Sequence, residues 1–292
     1  MYEPVCTYLI IGLTCLFSFF GFRSRAVEEK YIFDPRSILA DKEYYRLVSS
    51  AFLHSGWIHL LVNMISLNAF GRAVEFYFGR SQFLFIYFGA VVGGNLLSLW
   101  LHRHHEYRAY GASGGVCGII FTTILIDPAA SLTVFPVPYA VPGWLFAIIF
   151  LVGSFFAMKG GNLRNIGHDA HLGGAIVGFL AAGALHPDLV RVHLWVFLLL
   201  LAVAASMLTY VWLNPMFLPI GSFLGTRSKR GRPVKRTPTQ RREAMEIDAI
   251  LDKIAKAGID SLTAEERALL GEVSDKYRRR EQSEKPGSGL AI

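Results

Sequence analysis

The sequence predicts an all-α protein, a polytopic bundle of membrane-spanning helices. Three observations carry this expectation. Of 292 residues, 53% are hydrophobic and 17% charged, whereas a soluble domain carries about 25% charged residues. Mean hydropathy is positive, at +0.39. The apolar residues also arrive in blocks that approach the ~20 residues a helix needs to cross a bilayer. These blocks fall at approximately 5–22, 56–71, 83–101, 112–126, 142–158, 168–185 and 194–213.

Taken in order, block 5–22 reads as a retained helix. The opening Met1-Tyr2-Glu3-Pro4 has no basic leader, and no small-residue cleavage site follows. Segment 23–47 mixes charges with Tyr31, Ile32, Phe33, Ile38, Leu39, Tyr44 and Tyr45, which suits a loop half-submerged in the interface. Blocks 56–71 and 168–185 carry histidine, which is costly in lipid and therefore a functional signal. Block 194–213 is long and uncharged and predicts an additional span within 191–214. Cys6, Cys15 and Cys117 all lie in apolar blocks. Their odd number and their spacing imply neither a disulfide framework nor a metal site.

The remainder is polar. Residues 215–242 form a basic linker, with eight Lys and Arg and no acid between Arg227 and Arg242. Attraction to anionic headgroups and a plain solvated spacer explain it equally well. The basic run from Arg227 to Arg242 has no interleaved aromatics, so no nucleic-acid partner is expected. Residues 243–280 read as a helical hairpin. Ile247, Ile250, Leu251 and Ile254 repeat at helical spacing, Gly258 suits a C-cap, and Thr263 with Glu266 forms a capping box before Leu269, Leu270 and Val273. So small a unit needs a surface to dock on, either a partner or a copy of itself. Residues 281–292 read as a disordered tail.

Three segments are polar where lipid penalises polarity. In His54-Ser-Gly-Trp-Ile-His59-Leu-Leu-Val-Asn63, His59 and Asn63 are four apart and share a helix face. His54 lies about 140° away from His59 round a helix. The pair could donate hydrogen bonds to an oxyanion or simply bind one span to another. In Gly111-Ala-Ser113-Gly114-Gly115-Val-Cys117-Gly118, a serine opens an apolar helix whose free N–H groups suit an anion. The same glycines fit a small-xxx-small packing face, so this segment alone admits both readings.

The third segment is Gly167-His168-Asp169-Ala-His171-Leu-Gly-Gly174-Ala-Ile-Val-Gly178. His171, Gly174 and Gly178 fall on one face. A glycine-faced helix is the partner the 111–118 helix needs for close packing. Such packing would bring His171 to Ser113 as a general base. His168 is the lesser candidate base, nearer the helix start. Asp169 lies about 200° round the helix from His171, so a Ser–His dyad is expected and no triad.

These three segments, in this order, resemble the rhomboid family of intramembrane serine proteases across roughly residues 1–190. The matching motifs are Gly-x-Ser-Gly, His-x4-His-x3-Asn and Ala-His-x2-Gly-x3-Gly. The resemblance implies a bacterial-type, six-helix core followed by the seventh span, in a multi-pass protein of a plasma or inner membrane. It implies Ser113 as nucleophile and His171 as base. It also implies an oxyanion hole from His59, Asn63 and the Ser113 N–H. His54, Arg46, Gly111, Gly114, Gly174 and Gly178 would support the site. Substrates would be transmembrane proteins met in the lipid bilayer, and no cofactor or metal is implied. Tyr45 stands where the family's loop motif has tryptophan. Cys117 stands where some members place a tyrosine that stacks on the histidine. Loop 159–167 would cap the site, and the fifth span would act as a lateral gate.

Other chemistries lack their residues. There is no His-Glu-x-x-His for a zinc enzyme and no Gly-x-Gly-Asp for an aspartyl one. A non-catalytic member of the same scaffold would have lost the serine or the histidine, and both are present. A proton-relay transporter would use the histidines but has no need of Gly-Ala-Ser-Gly. Seven spans with Ser113 open to the outside would also put the tail outside, against the positive-inside rule for a tail so basic.

Overall fold

The computed structural model describes residues 3–104, 106–133, 140–160, 167–213, 253 and 262–267. The chain divides into two units, Met1–Thr226 and Arg227–Ile292. Linker 215–242, most of the expected hairpin and tail 281–292 lie outside the described residues. Within the second unit the expected capping box is formed. The Thr263 N–H donates to Glu266 Oε2 at 2.7 Å, and the Glu266 N–H donates to Thr263 Oγ1 at 3.2 Å.

The first unit is a helix bundle. Its helices are α1 (Val5–Arg23), α2 (Arg25–Tyr31), α3 (Pro35–Ala40), α4 (Arg46–Ser49), α5 (Trp57–His102), α6 (Ser113–Ile126), α7 (Gly143–Gly160), α8 (His168–Leu185), α9 (Pro187–Val192) and α10 (Leu194–Leu213). Helices α1, α5 and α10 are long and apolar enough to cross a membrane, and α6 and α7 are shorter apolar helices. The core lies where α5, α6 and α8 meet.

The range labelled α5 holds two helical arms that meet at a kink, in keeping with the two separate apolar blocks. Its 46 residues would extend about 69 Å if straight, more than twice the ~30 Å of a hydrocarbon core. It breaks at Gly79, where φ is 77° and ψ is 169°, a conformation that favours glycine. The second arm returns toward the start of the first. Asn95 Nδ2 donates to Leu47 O at 2.8 Å and to Ser50 Oγ at 3.2 Å.

One expectation needs correction. Segment 23–47 is not an irregular loop but carries short capped helices. Ser24 caps α2, and Asp34 caps α3 with Pro35 at the first helical position. These residue types satisfy the free N–H groups of a helix start within a few residues, with no hydrophobic periodicity to announce them. The bundle also carries one small antiparallel hairpin, β1 (Ser131–Thr133) with β2 (Ala140–Pro142), between α6 and α7.

Helix α1 is inverted relative to a soluble amphipathic helix. Thr7, Thr14 and Ser18 are fully buried, while Leu9, Leu13, Leu16 and Phe20 are exposed. Polar side chains face the bundle because lipid offers them no partner. The start of α1 has no side-chain cap of its own, since its cap residue is Pro4. Glu75, fully buried on the first arm of α5, supplies one from outside. It accepts from the Cys6 N–H at 2.9 Å, the Thr7 N–H at 2.7 Å and the Thr7 hydroxyl at 2.7 Å. A buried donor left without its acceptor costs on the order of 1–3 kcal/mol. Glu75→Ala should therefore lower stability by about 3 kcal/mol or more, measurable as a fall in unfolding midpoint in detergent micelles. A midpoint equal to wild type would contradict this role.

Candidate active site

Ser113 is the first residue of α6, and the first intrahelical bond there runs from the Val116 N–H to Ala112 O at 3.0 Å. The N–H groups of Ser113 to Gly115 therefore have no partner within the helix. The chain reaches Ser113 through Gly111, whose φ of +135° disfavours any side chain. His171 is one turn into α8. Its Nε2 lies 2.6 Å from Ser113 Oγ, a part-buried hydrogen-bonded pair between α6 and α8.

The glycines explain how two helices come this close. A Cβ on Gly174 would strike the backbone carbonyl of Gly114, and one on Gly178 would strike Gly118. The face Gly114/Gly118 thus meets Gly174/Gly178, as the spacing predicts. Gly115 turns the other way, where a Cβ would lie 2.7 Å from Tyr87 on α5. The second arm of α5 joins the same packing, because Gly94 meets the Ala170 carbonyl.

His59 lies over Gly111. A Cβ on Gly111 would fall 3.0 Å from His59 Nε2 and 3.6 Å from Ser113 Oγ. Glycine keeps that point open, and it is within reach of both side chains. His59 Nδ1 pairs with Ser55 Oγ at 3.0 Å. Asn63 is buried one turn later, and its Nδ2 donates to His59 O at 2.9 Å.

His54 is held apart from Ser113. Ser18 Oγ donates to Phe52 O at 2.9 Å and lies 2.9 Å from His54 Nδ1. The single Ser18 proton is thereby used, so His54 Nδ1 must donate and its Nε2 must accept. Nε2 accepts the Ala112 N–H at 3.4 Å. A neutral His54 thus links α1 to the residue before Ser113. Ser18 was not foreseen; its only signal is its place on the polar face of α1.

Arg46 is buried and pins the segment before α5. Its Nη1 donates to Glu29 O at 2.9 Å and Ile32 O at 2.8 Å, and its Nε donates to Glu43 at 2.6 Å. That hydrogen bond holds the Glu43 carboxyl below its usual range. Tyr45 adds a bond from its hydroxyl to Lys30 O at 3.1 Å and an edge-on contact with Tyr31. The loop is anchored with tyrosine in place of tryptophan.

Cys117 is buried one turn after Ser113. The rings beside His171 are Phe150 of α7, at 6.3 Å and tilted by 32°, and His168, edge-on at 5.8 Å. The contribution of α7 was not legible from the sequence. Asp169 points away from His171, as its position round the helix predicts; its Oδ1 accepts from the Tyr107 hydroxyl and its Oδ2 lies 3.2 Å from His102 Nε2. Of the expected cap, residues 161–166 lie outside the described residues.

The fold and the site define a class: an integral, multi-pass membrane helix bundle with a serine hydrogen-bonded to a histidine across two of its helices. The rhomboid domain model matches residues 41–188, and the chain belongs to the rhomboid family. A second model, a family of unknown function (DUF6576), matches residues 238–276. The chain is 31% identical over 188 residues to rhomboid protease GluP of Bacillus subtilis, covering 63% of this chain and 35% of that protein. It is 30% identical over 158 residues to the mitochondrial rhomboid protein 1 of Saccharomyces cerevisiae, covering 51% and 45%. It is 31% identical over 144 residues to RHOMBOID-like protein 5 of Arabidopsis thaliana, covering 49% and 45%. The chain thus spans less than half the length of these curated relatives.

Proposed function

We propose that the protein is an intramembrane serine endopeptidase that cleaves transmembrane segments of membrane proteins with a Ser113–His171 dyad. The single observation that supports this most is the 2.6 Å contact between Ser113 Oγ and His171 Nε2, inside the stretch matched by the rhomboid domain. His171 Nε2 accepts the hydroxyl proton as Ser113 Oγ attacks the peptide carbonyl. The resulting oxyanion sits in the space above Gly111. There it meets the N–H of His59 Nε2, the Ser113 N–H and the remaining Asn63 N–H. Ser55 supports this by donating to His59 Nδ1, which leaves the proton on Nε2. As the carbon–nitrogen bond breaks, His171 returns its proton to the leaving amine. Water, giving a proton to the same histidine, then attacks the acyl ester; as the ester C–O bond breaks, His171 passes that proton to Ser113 Oγ and the dyad is restored.

A peptide bond in a stable helix is shielded, so the substrate must unwind locally before attack. A small-residue, helix-weakening stretch near the membrane surface meets that need. The direct test is labelling of the purified protein in detergent with a fluorophosphonate probe. Mass spectrometry should place the label on Ser113, and heat-denatured protein should take none. A folded protein that stays unlabelled at Ser113 would end this reading.

A further inference from the structure

One buried polar cluster beside the dyad takes no part in the proposed chemistry. Asp169, in the first turn of α8, is 4% exposed. Its Oδ1 accepts the Tyr107 hydroxyl at 3.1 Å. Its Oδ2 lies 3.2 Å from His102 Nε2. The His102 and Tyr107 rings are themselves stacked, with centroids 3.8 Å apart and planes within 5°. Each ring therefore limits the other, and together they present two groups to one carboxylate.

The three residues come from the ends that matter. His102 closes α5. Tyr107 lies in the segment that leads into Ser113, six residues on. Asp169 precedes His171 by two residues. That segment is fixed on its other side as well, since Phe33 and Ala109 exchange backbone bonds at 3.0 and 3.2 Å and the Phe33 ring meets Tyr107 edge-on. A carboxylate so buried is retained only when its partners are held in place. A carboxylate in a first helical turn also favours that turn's free N–H groups. The cluster therefore joins the approach to Ser113 and the approach to His171 at one point.

We propose that Asp169 is a positioning residue: clamped by His102 and Tyr107, it fixes the start of α8 to the segment entering Ser113 and so holds His171 on the Ser113 hydroxyl. It does not touch the reacting atoms. The inference rests on the dyad reading above, because it concerns the geometry of that pair. A displacement of about 1 Å at a reacting group can cost about 100-fold in rate, so a loosened clamp acts on kcat and leaves substrate binding alone.

The test uses full-length protein in detergent with a single-span test substrate, alongside the fluorophosphonate labelling rate. Asp169→Ala should lower kcat and labelling by about 10- to 100-fold with KM unchanged. Tyr107→Phe, which removes one hydroxyl and keeps the ring stack, should lower both several-fold without loss of fold. Asp169→Asn keeps an acceptor for Tyr107 and should recover most of the activity lost in the alanine variant. Wild-type kcat in folded Asp169→Ala, or in Tyr107→Phe if the alanine variant does not fold, would overturn the proposal. Activity that falls only in step with the unfolding midpoint would do so too, marking a purely structural contact. Failure of the dyad reading looks different, since wild-type protein itself would then neither label at Ser113 nor cleave.

Discussion

Ser113→Ala and His171→Ala should each abolish cleavage of a transmembrane test substrate, by about 10⁴-fold or more, while leaving the unfolding midpoint near wild type. The two side chains share one hydrogen bond of 2.6 Å and act as one unit: the hydroxyl is a weak nucleophile without its base, and the base has nothing to activate without the hydroxyl. The double variant should therefore be no slower than either single variant. His171→Ala should also lose fluorophosphonate labelling although Ser113 is intact. Multiplicative losses in the double variant would mean that the two groups act separately. Full cleavage by Ser113→Ala would remove the nucleophile from the scheme.

Gly174→Ala should also be strongly damaging, although it adds one methyl group far smaller than most side chains. The new Cβ would meet the carbonyl and Cα of Gly114. These are backbone atoms of the helix that carries Ser113, and they cannot rotate aside. Helices α6 and α8 must separate, and the Ser113–His171 bond lengthens with them. A loss of about 100-fold in kcat is expected, together with a lower unfolding midpoint. Gly89→Ala is the matched control, because nothing lies within 4 Å of its added Cβ. There alanine should leave activity unchanged and favour the helix slightly. Equal activity in both variants would show that close α6–α8 packing is not what places the dyad.

These two predictions draw on what the sequence displays most openly. Hydropathy marks the apolar blocks because lipid imposes one requirement on every residue of a span, and that requirement is local. Residues His171, Gly174 and Gly178 betray a closely packed face by their spacing alone. The contact of His171 with Ser113 was expected from matching one glycine face to another. The two arms of α5 were visible as separate apolar runs, but the kink that joins them was not, because it depends on the φ of a single residue, Gly79. The short helices between α1 and α5 were hidden for a related reason. They are set by caps at Ser24 and Asp34 and by Arg46 reaching carbonyls 14 and 17 residues away.

What the sequence pointed to by itself, then, is the class of the fold, the proposed pair Ser113 and His171, and the glycine faces that let their helices touch. Each of these is written in periodicity along one segment. Only the tertiary structure decided that Glu75 caps α1, that Ser18 fixes the tautomer of His54, that Phe150 stands beside His171, and that Asp169 is held by His102 and Tyr107. These are pairings between helices, and a polar or aromatic side chain in a span shows that it needs a partner without showing which one. Distance and direction across the bundle choose the partner, and they exist only once the helices have packed.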